Sequence, residues 1–151
     1  MIDGKLDIAG ARILIVDDQE ANVQLLEQLL VEAGYTCVAT TTNPTEVCAL
    51  HRKNNYDLIL LDLHMPGMDG FEVMEQLKDI EQSGYLPVLV LTAQHSSKLR
   101  ALRAGARDFV SKPFEILEIQ TRIHNMIEVR LLHKRIEGDN RELEQTVLQR
   151  T

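Results

Sequence analysis

The chain is short of basic residues, cysteine and long apolar runs, and each shortage excludes something. Lysine and arginine number 16 against 23 acidic residues, a formal net charge of −7. A general nucleic-acid grip needs a basic surface, so no direct nucleic-acid binding is expected. No apolar stretch approaches the roughly 18–20 residues of a bilayer span, so no membrane segment is expected. The N-terminus, MIDGKLDIAGAR, lacks the basic start and apolar core of a signal peptide, which makes the expected location cytoplasmic. The two cysteines, Cys37 and Cys48, have no CxxC spacing and are expected as reduced, buried thiols. The histidines, at 51, 64, 95, 124 and 133, form no HxxxH or HxH pair, which argues against a zinc site.

What is present suits one folded domain. The 151 residues fill an ordinary domain with about thirty to spare. An apolar fraction of 44% is enough for a core. Short aliphatic runs alternate with amphipathic segments. The runs are RILIV (12–16), TCVAT (36–40), DLILL (57–61), PVLVL (87–91) and DFV (108–110). Runs so continuously apolar predict strands covered on both faces, as in a parallel sheet, and the weakest, 36–40, reads as an edge. Helical spacing predicts a helix over 20–33, with Val23, Leu26, Leu29, Leu30 and Ala33 on one stripe and Gly34 as its stop. Asn43-Pro44-x-Glu46 reads as a capping box for a helix at 44–53, and Asp69-x-x-Glu72 repeats the device for one at about 70–80. A shorter helix fits 96–103, stopped by Gly105, and the last begins near Phe114. Alternating β and α elements predict an α/β fold, a doubly wound parallel sheet with helices on both faces.

In such sheets ligands sit beyond the carboxyl ends of the strands, at the switch point. In the flavodoxin-like order 2-1-3-4-5, the crevice between the first and third strands receives Asp17, Asp18 and Asp62, flanked by Thr92 and Lys112. Two carboxylates about 4 Å apart repel by roughly 4 kcal/mol at an effective dielectric of 20. Lys112 alone does not offset three such pairs, whereas a divalent cation does. All-oxygen ligands, few in number, favour Mg²⁺, and no EF-hand spacing points to Ca²⁺. A metal, a hydroxyl and a lysine around one carboxylate make a phosphoryl site, with Asp62 as the nucleophile that forms an aspartyl phosphate. Each piece alone has a plainer reading: Asp17 and Asp18 as a cap and solvated turn, Asp62 as a strand-end cap, Lys112 as a surface lysine.

The pieces ILIVDD, DLILLDLHMPGMDGFEV, VLVLTA and GARDFVSKPF together resemble the response-regulator receiver domains (CheY-like) of two-component signalling. The resemblance covers about residues 11–128, taken as the receiver domain. It implies Asp62 as phosphoacceptor, Asp17, Asp18 and Asp62 as the Mg²⁺ ligands with the backbone carbonyl of His64, and phosphoryl contacts from Thr92 and Lys112. It implies Phe109, with Thr92, as the switch pair, although Phe109 also fits plain core packing. His64 and Gln94 fall where this family tunes dephosphorylation. The implied partner is a histidine kinase or phosphotransfer protein, and the implied role is regulatory, limited to self-catalysed phosphotransfer and dephosphorylation. The implied relay runs through the face formed by the fourth helix, fifth strand and fifth helix. Two other readings compete. A phosphohydrolase of the HAD type would need DxDx[TV], but Leu63 and His64 follow Asp62. A pseudo-receiver acting only as an interaction module would lack an acid or the lysine.

Residues 129–151 extend the last helix as a linker. Val129, Leu132, Ile136, Leu143 and Val147 keep helical spacing, and a heptad frame with a at 129, 136 and 143 predicts a homodimeric coiled coil. Asp139 and Thr146 interrupt its d positions, and Gly138 weakens the helix by about 1 kcal/mol relative to alanine. NRELEQTVLQRT resembles the helical linker joining receivers to output domains, notably cyclic-di-GMP phosphodiesterases of the HD-GYP kind. The expectation is a receiver with its linker and with the output domain removed.

Overall fold

A computed structural model describes residues 7–63, 69–81, 87–93 and 95–150, with side chains described for 7–63, 69–81, 87–93 and 99–136. Five strands form one parallel sheet: β1 (Arg12–Val16), β2 (Cys37–Thr41), β3 (Leu58–Asp62), β4 (Val88–Thr92) and β5 (Asp108–Ser111). Their order is β2-β1-β3-β4-β5. Every residue of β3 and β4 is buried, which is what continuous aliphatic runs require when helices cover both faces. β2 lies at the edge and is mostly half-exposed, as its weaker pattern predicts. The helices are α1 (Glu20–Glu32), α2 (Val47–Asn54), α3 (Gly70–Ile80), α4 (His95–Arg103) and α5 (Ile116–Arg150), with a short 3₁₀ turn at Pro44–Glu46.

Alternate strand residues divide the core in two. Ile13, Ile15, Leu58, Leu60, Leu89 and Leu91 face α1 and α5, where Leu26, Leu30, Ile119 and Ile123 meet them. Leu14, Val16, Ile59, Leu61, Val88 and Val90 face α2, α3 and α4, meeting Val47, Val73, Met74, Leu77 and Ala101. The fold is thus the flavodoxin-like doubly wound sheet.

The predicted helix stops act as expected. Gly34 (φ 101°) and Gly105 (φ 110°) take left-handed backbone that a Cβ would resist. After each, the chain closes the helix by a paired cap: Gly34 N–H donates to Val31 and Tyr35 N–H to Leu30, and Gly105 and Ala106 repeat the pattern onto Leu102 and Ala101. Asp69 accepts from Glu72 N–H at 2.9 Å and caps α3.

Two expectations differ from the structure. Asn43 does cap, accepting from Thr45 N–H at 3.1 Å, but the Glu46 carboxylate accepts from the Thr41 hydroxyl at 2.9 Å, and a 3₁₀ turn precedes α2. The cysteines are free but not buried: Cys37 is exposed at the start of the edge strand and Cys48 is half-buried on α2. The extended last helix is present: α5 runs through Gly138 to Arg150, one glycine costing about 1 kcal/mol against the many good helix formers around it. Among the described residues no helix is long and apolar enough to cross a membrane.

Candidate functional site

The crevice lies where β1 and β3 end side by side. These strands are parallel neighbours, with Val16 opposite Leu61. β2 continues outward from β1, while β4 continues on the other side of β3. The chain leaves β1 and β3 toward opposite faces of the sheet, so a gap opens between them.

Asp17 is held inward by its own backbone and side chain. Its N–H donates to Thr41 O at 3.3 Å, and its Oδ1 accepts from Gln19 N–H at 3.0 Å. It is fully buried, and Asp18 beside it is half-buried. Asp62 is the last residue of β3 and 6% exposed. One carboxylate oxygen from each of Asp17, Asp18 and Asp62 lies within 4.8 Å of the others. The Lys112 ammonium reaches both buried acids, 3.4 Å from Asp17 Oδ2 and 3.5 Å from Asp62 Oδ1.

Among the described residues, three carboxylates therefore converge with one ammonium, an excess of negative charge. Buried charge of one sign is costly unless paired or bound to metal. A small divalent cation with oxygen ligands fits that imbalance and donor chemistry.

Thr92 ends β4 and is fully buried, with exposed Ala93 following it. Its carbonyl accepts from Lys112 N–H at 2.9 Å, so one backbone bond joins the hydroxyl-bearing strand to the lysine-bearing one. The Lys112–Pro113 peptide is cis. Phe109 is half-buried and packs against the core on the α3 and α4 side of the sheet. His64 and Gln94 lie outside the described residues.

Gly70 was not singled out from the sequence, and the structure gives it a defined task. It opens α3, and its N–H donates to Leu63 O at 3.0 Å. A Cβ there would come within 2.8 Å of Leu63 Cα and 2.9 Å of Asp62 O. Only glycine lets α3 start so close to the backbone that carries Asp62. A signal was present: glycine is a poor choice for the first turn of a helix that Asp69 already caps. Phe71 follows, buried, with the Arg100 guanidinium of α4 stacked 3.8 Å from its ring centroid.

Comparisons with known proteins agree with this geometry. Residues 13–124 match the family described as response regulator receiver domain. The chain is 39% identical over 125 residues to the response regulator PleD of Caulobacter vibrioides, covering 82% of this chain and 27% of that one. It thus spans about a quarter of that relative's length. It is 33% identical over 104 residues to the chemotaxis protein CheY of Bacillus subtilis, covering 69% of this chain and 87% of CheY. Among solved structures, the receiver domain of sensor histidine kinase PA1611 from Pseudomonas aeruginosa PAO1 superimposes with a TM-score of 0.71 at 28% identity, over 79% of this chain and 98% of that one. That structure has a magnesium ion coordinated in its active-site cleft.

Proposed function

Because the chain belongs to the response regulator receiver domain family, we propose that it is a phosphorylation-dependent signalling switch with Asp62 as its acceptor. Receiver domains are regulatory phosphoacceptor domains of two-component systems, and that much holds for this chain. The observation that supports Asp62 is its position: a carboxylate fixed at the end of a fully buried strand, with two other acids close by and the Lys112 ammonium within reach.

An Asp62 carboxylate oxygen attacks the phosphorus of a phosphohistidine on a histidine kinase or phosphotransfer protein. The P–O bond forms as the P–N bond breaks, and the leaving imidazole nitrogen takes a proton. Asp17, Asp18 and Asp62, with the His64 carbonyl, would hold Mg²⁺, whose positive charge would let an anionic phosphoryl group approach three carboxylates. Lys112 pairs with a phosphoryl oxygen, and the Thr92 hydroxyl donates to another. His64 and Gln94 modulate the return reaction, in which water cleaves the acyl phosphate.

Movement of Thr92 toward the phosphoryl group, with Phe109 following, shifts a pre-existing equilibrium on the α4–β5–α5 face. Residues 11–128 are the receiver and 129–151 the linker that carries the state to an output domain, of which a cyclic-di-GMP phosphodiesterase is one kind. Val129, Leu132 and Ile136 are exposed at 52%, 41% and 59% on α5, which supports pairing of two copies along this helix.

A phosphate mimic provides the test. Beryllofluoride should bind only with Mg²⁺ present, and EDTA should abolish both its binding and phosphorylation by a small phosphodonor. Phosphorylation at the normal rate in EDTA would remove the metal from the account.

A further inference from the structure

Beyond the expected receiver boundary, α5 still touches the body of the protein through Arg130, Leu131 and Lys134. We propose that Asp57 anchors the start of the helical linker to the sheet, so that residues 129–134 are held against the receiver body. Asp57 immediately precedes β3, at the end of the sheet opposite the acidic crevice. Its backbone is locked to β1: Asp57 N–H donates to Arg12 O at 2.8 Å, and Arg12 N–H donates to Asp57 Oδ2 at 3.0 Å. One carboxylate oxygen is thereby committed to the sheet. The other faces α5, where Lys134 Nζ lies 2.7 Å from Oδ1 and Arg130 Nε lies 4.0 Å from it.

Burial decides that this is more than a surface ion pair. Asp57 is 5% exposed and Arg130 3% exposed. A buried carboxylate that loses its cations carries a desolvation penalty, so the buried Asp57 and Arg130 hold the helix more firmly than an exposed pair does, and Lys134, whose side chain is 38% exposed, adds the shorter contact. Arg130 and Lys134 are four residues apart and share one helix face. The exposed Val129, Leu132 and Ile136 must then point away from the sheet, in a direction set by Asp57. The anchor requires no phosphoryl group, so it stands or falls separately from the assignment of Asp62.

Amide hydrogen exchange of the full chain tests the anchor. Asp57→Asn keeps an oxygen for Arg12 N–H and removes the charge. Lys134→Glu changes a partly exposed residue and brings a like charge to Asp57. In both variants exchange within residues 129–137 should rise about tenfold, while peptides covering β3 and β4 stay at their original rates. Lys134→Arg should restore protection. Unchanged exchange at 129–137 in Lys134→Glu, or an acceleration shared equally by the strands, overturns the proposal. If Asp57→Asn does not fold, Lys134→Glu alone decides.

Discussion

At the scale of single residues, position and partner matter more than residue type. The acids were legible because each follows a recognisable aliphatic run, and a strand's end is fixed by where that run stops. Gly70 was less legible because its reason is a contact across the chain: its hydrogen stands where a side chain would meet Asp62 and Leu63. Gly70→Ala should therefore slow phosphodonor incorporation and destabilise the fold by roughly 1–3 kcal/mol, as overpacking does. Urea melts and labelling rates, measured together, check this, and wild-type values for both would contradict it. The cysteines give a second residue-scale prediction. Burial pushes the Cys48 thiol up, with Asp79 adding to the rise and Arg52 opposing it. A raised pKa leaves less thiolate at a given pH, and Cys48 is also less accessible than Cys37. At pH 8 a thiol reagent should modify Cys37 first, as seen by peptide mapping over time. Faster labelling of Cys48 would refute the ordering.

At the scale of elements, the strands were the most readable part, since β1, β3 and β4 each carry four consecutive aliphatic residues. Stops were readable where glycine must take left-handed backbone. The start of α2 was not, because Glu46 had two places to go and took the Thr41 hydroxyl over the helix N-terminus. The exposure of Cys37 likewise depends on β2 being an edge, which the residue itself does not announce. In α5 the apolar spacing was visible, but the opposite face, where Arg130 and Lys134 meet Asp57, depends on a partner more than seventy residues away. The stripe itself makes a prediction. Each of Val129, Leu132 and Ile136, if buried against a second copy, contributes roughly 1.5–3 kcal/mol before association costs. Asp139 and Thr146 weaken the seam, so the dimer should depend on concentration. Sedimentation equilibrium should show self-association for the full chain and a monomer for the Leu132→Lys, Ile136→Lys double variant. Identical monomeric behaviour of both, with and without a phosphate mimic, would leave α5 a passive linker.

At the scale of the whole molecule, the proposed switch requires a phosphoryl group at one end of the sheet to change a surface at its side. Taking an inactive to active ratio from 99:1 to 1:99 requires the phosphoryl group to favour the active form by about 5.5 kcal/mol. Charge-assisted contacts from Lys112 and a bond from the Thr92 hydroxyl are of the right order to supply it. Lys112 N–H donates to Thr92 O, and Lys112 directly follows β5, the strand that carries Phe109. All of this depends on where the phosphoryl group goes, and peptide mapping by mass spectrometry reads that directly. The full chain is incubated with a small phosphodonor and Mg²⁺, trapped by borohydride reduction of the acyl phosphate, digested and sequenced. The prediction is conversion of Asp62 alone, abolished in Asp62→Asn, a variant close enough in shape to keep its circular dichroism and melting behaviour. Label at Asp17, Asp18 or any other residue in the native chain, or undiminished incorporation in Asp62→Asn, would contradict the account.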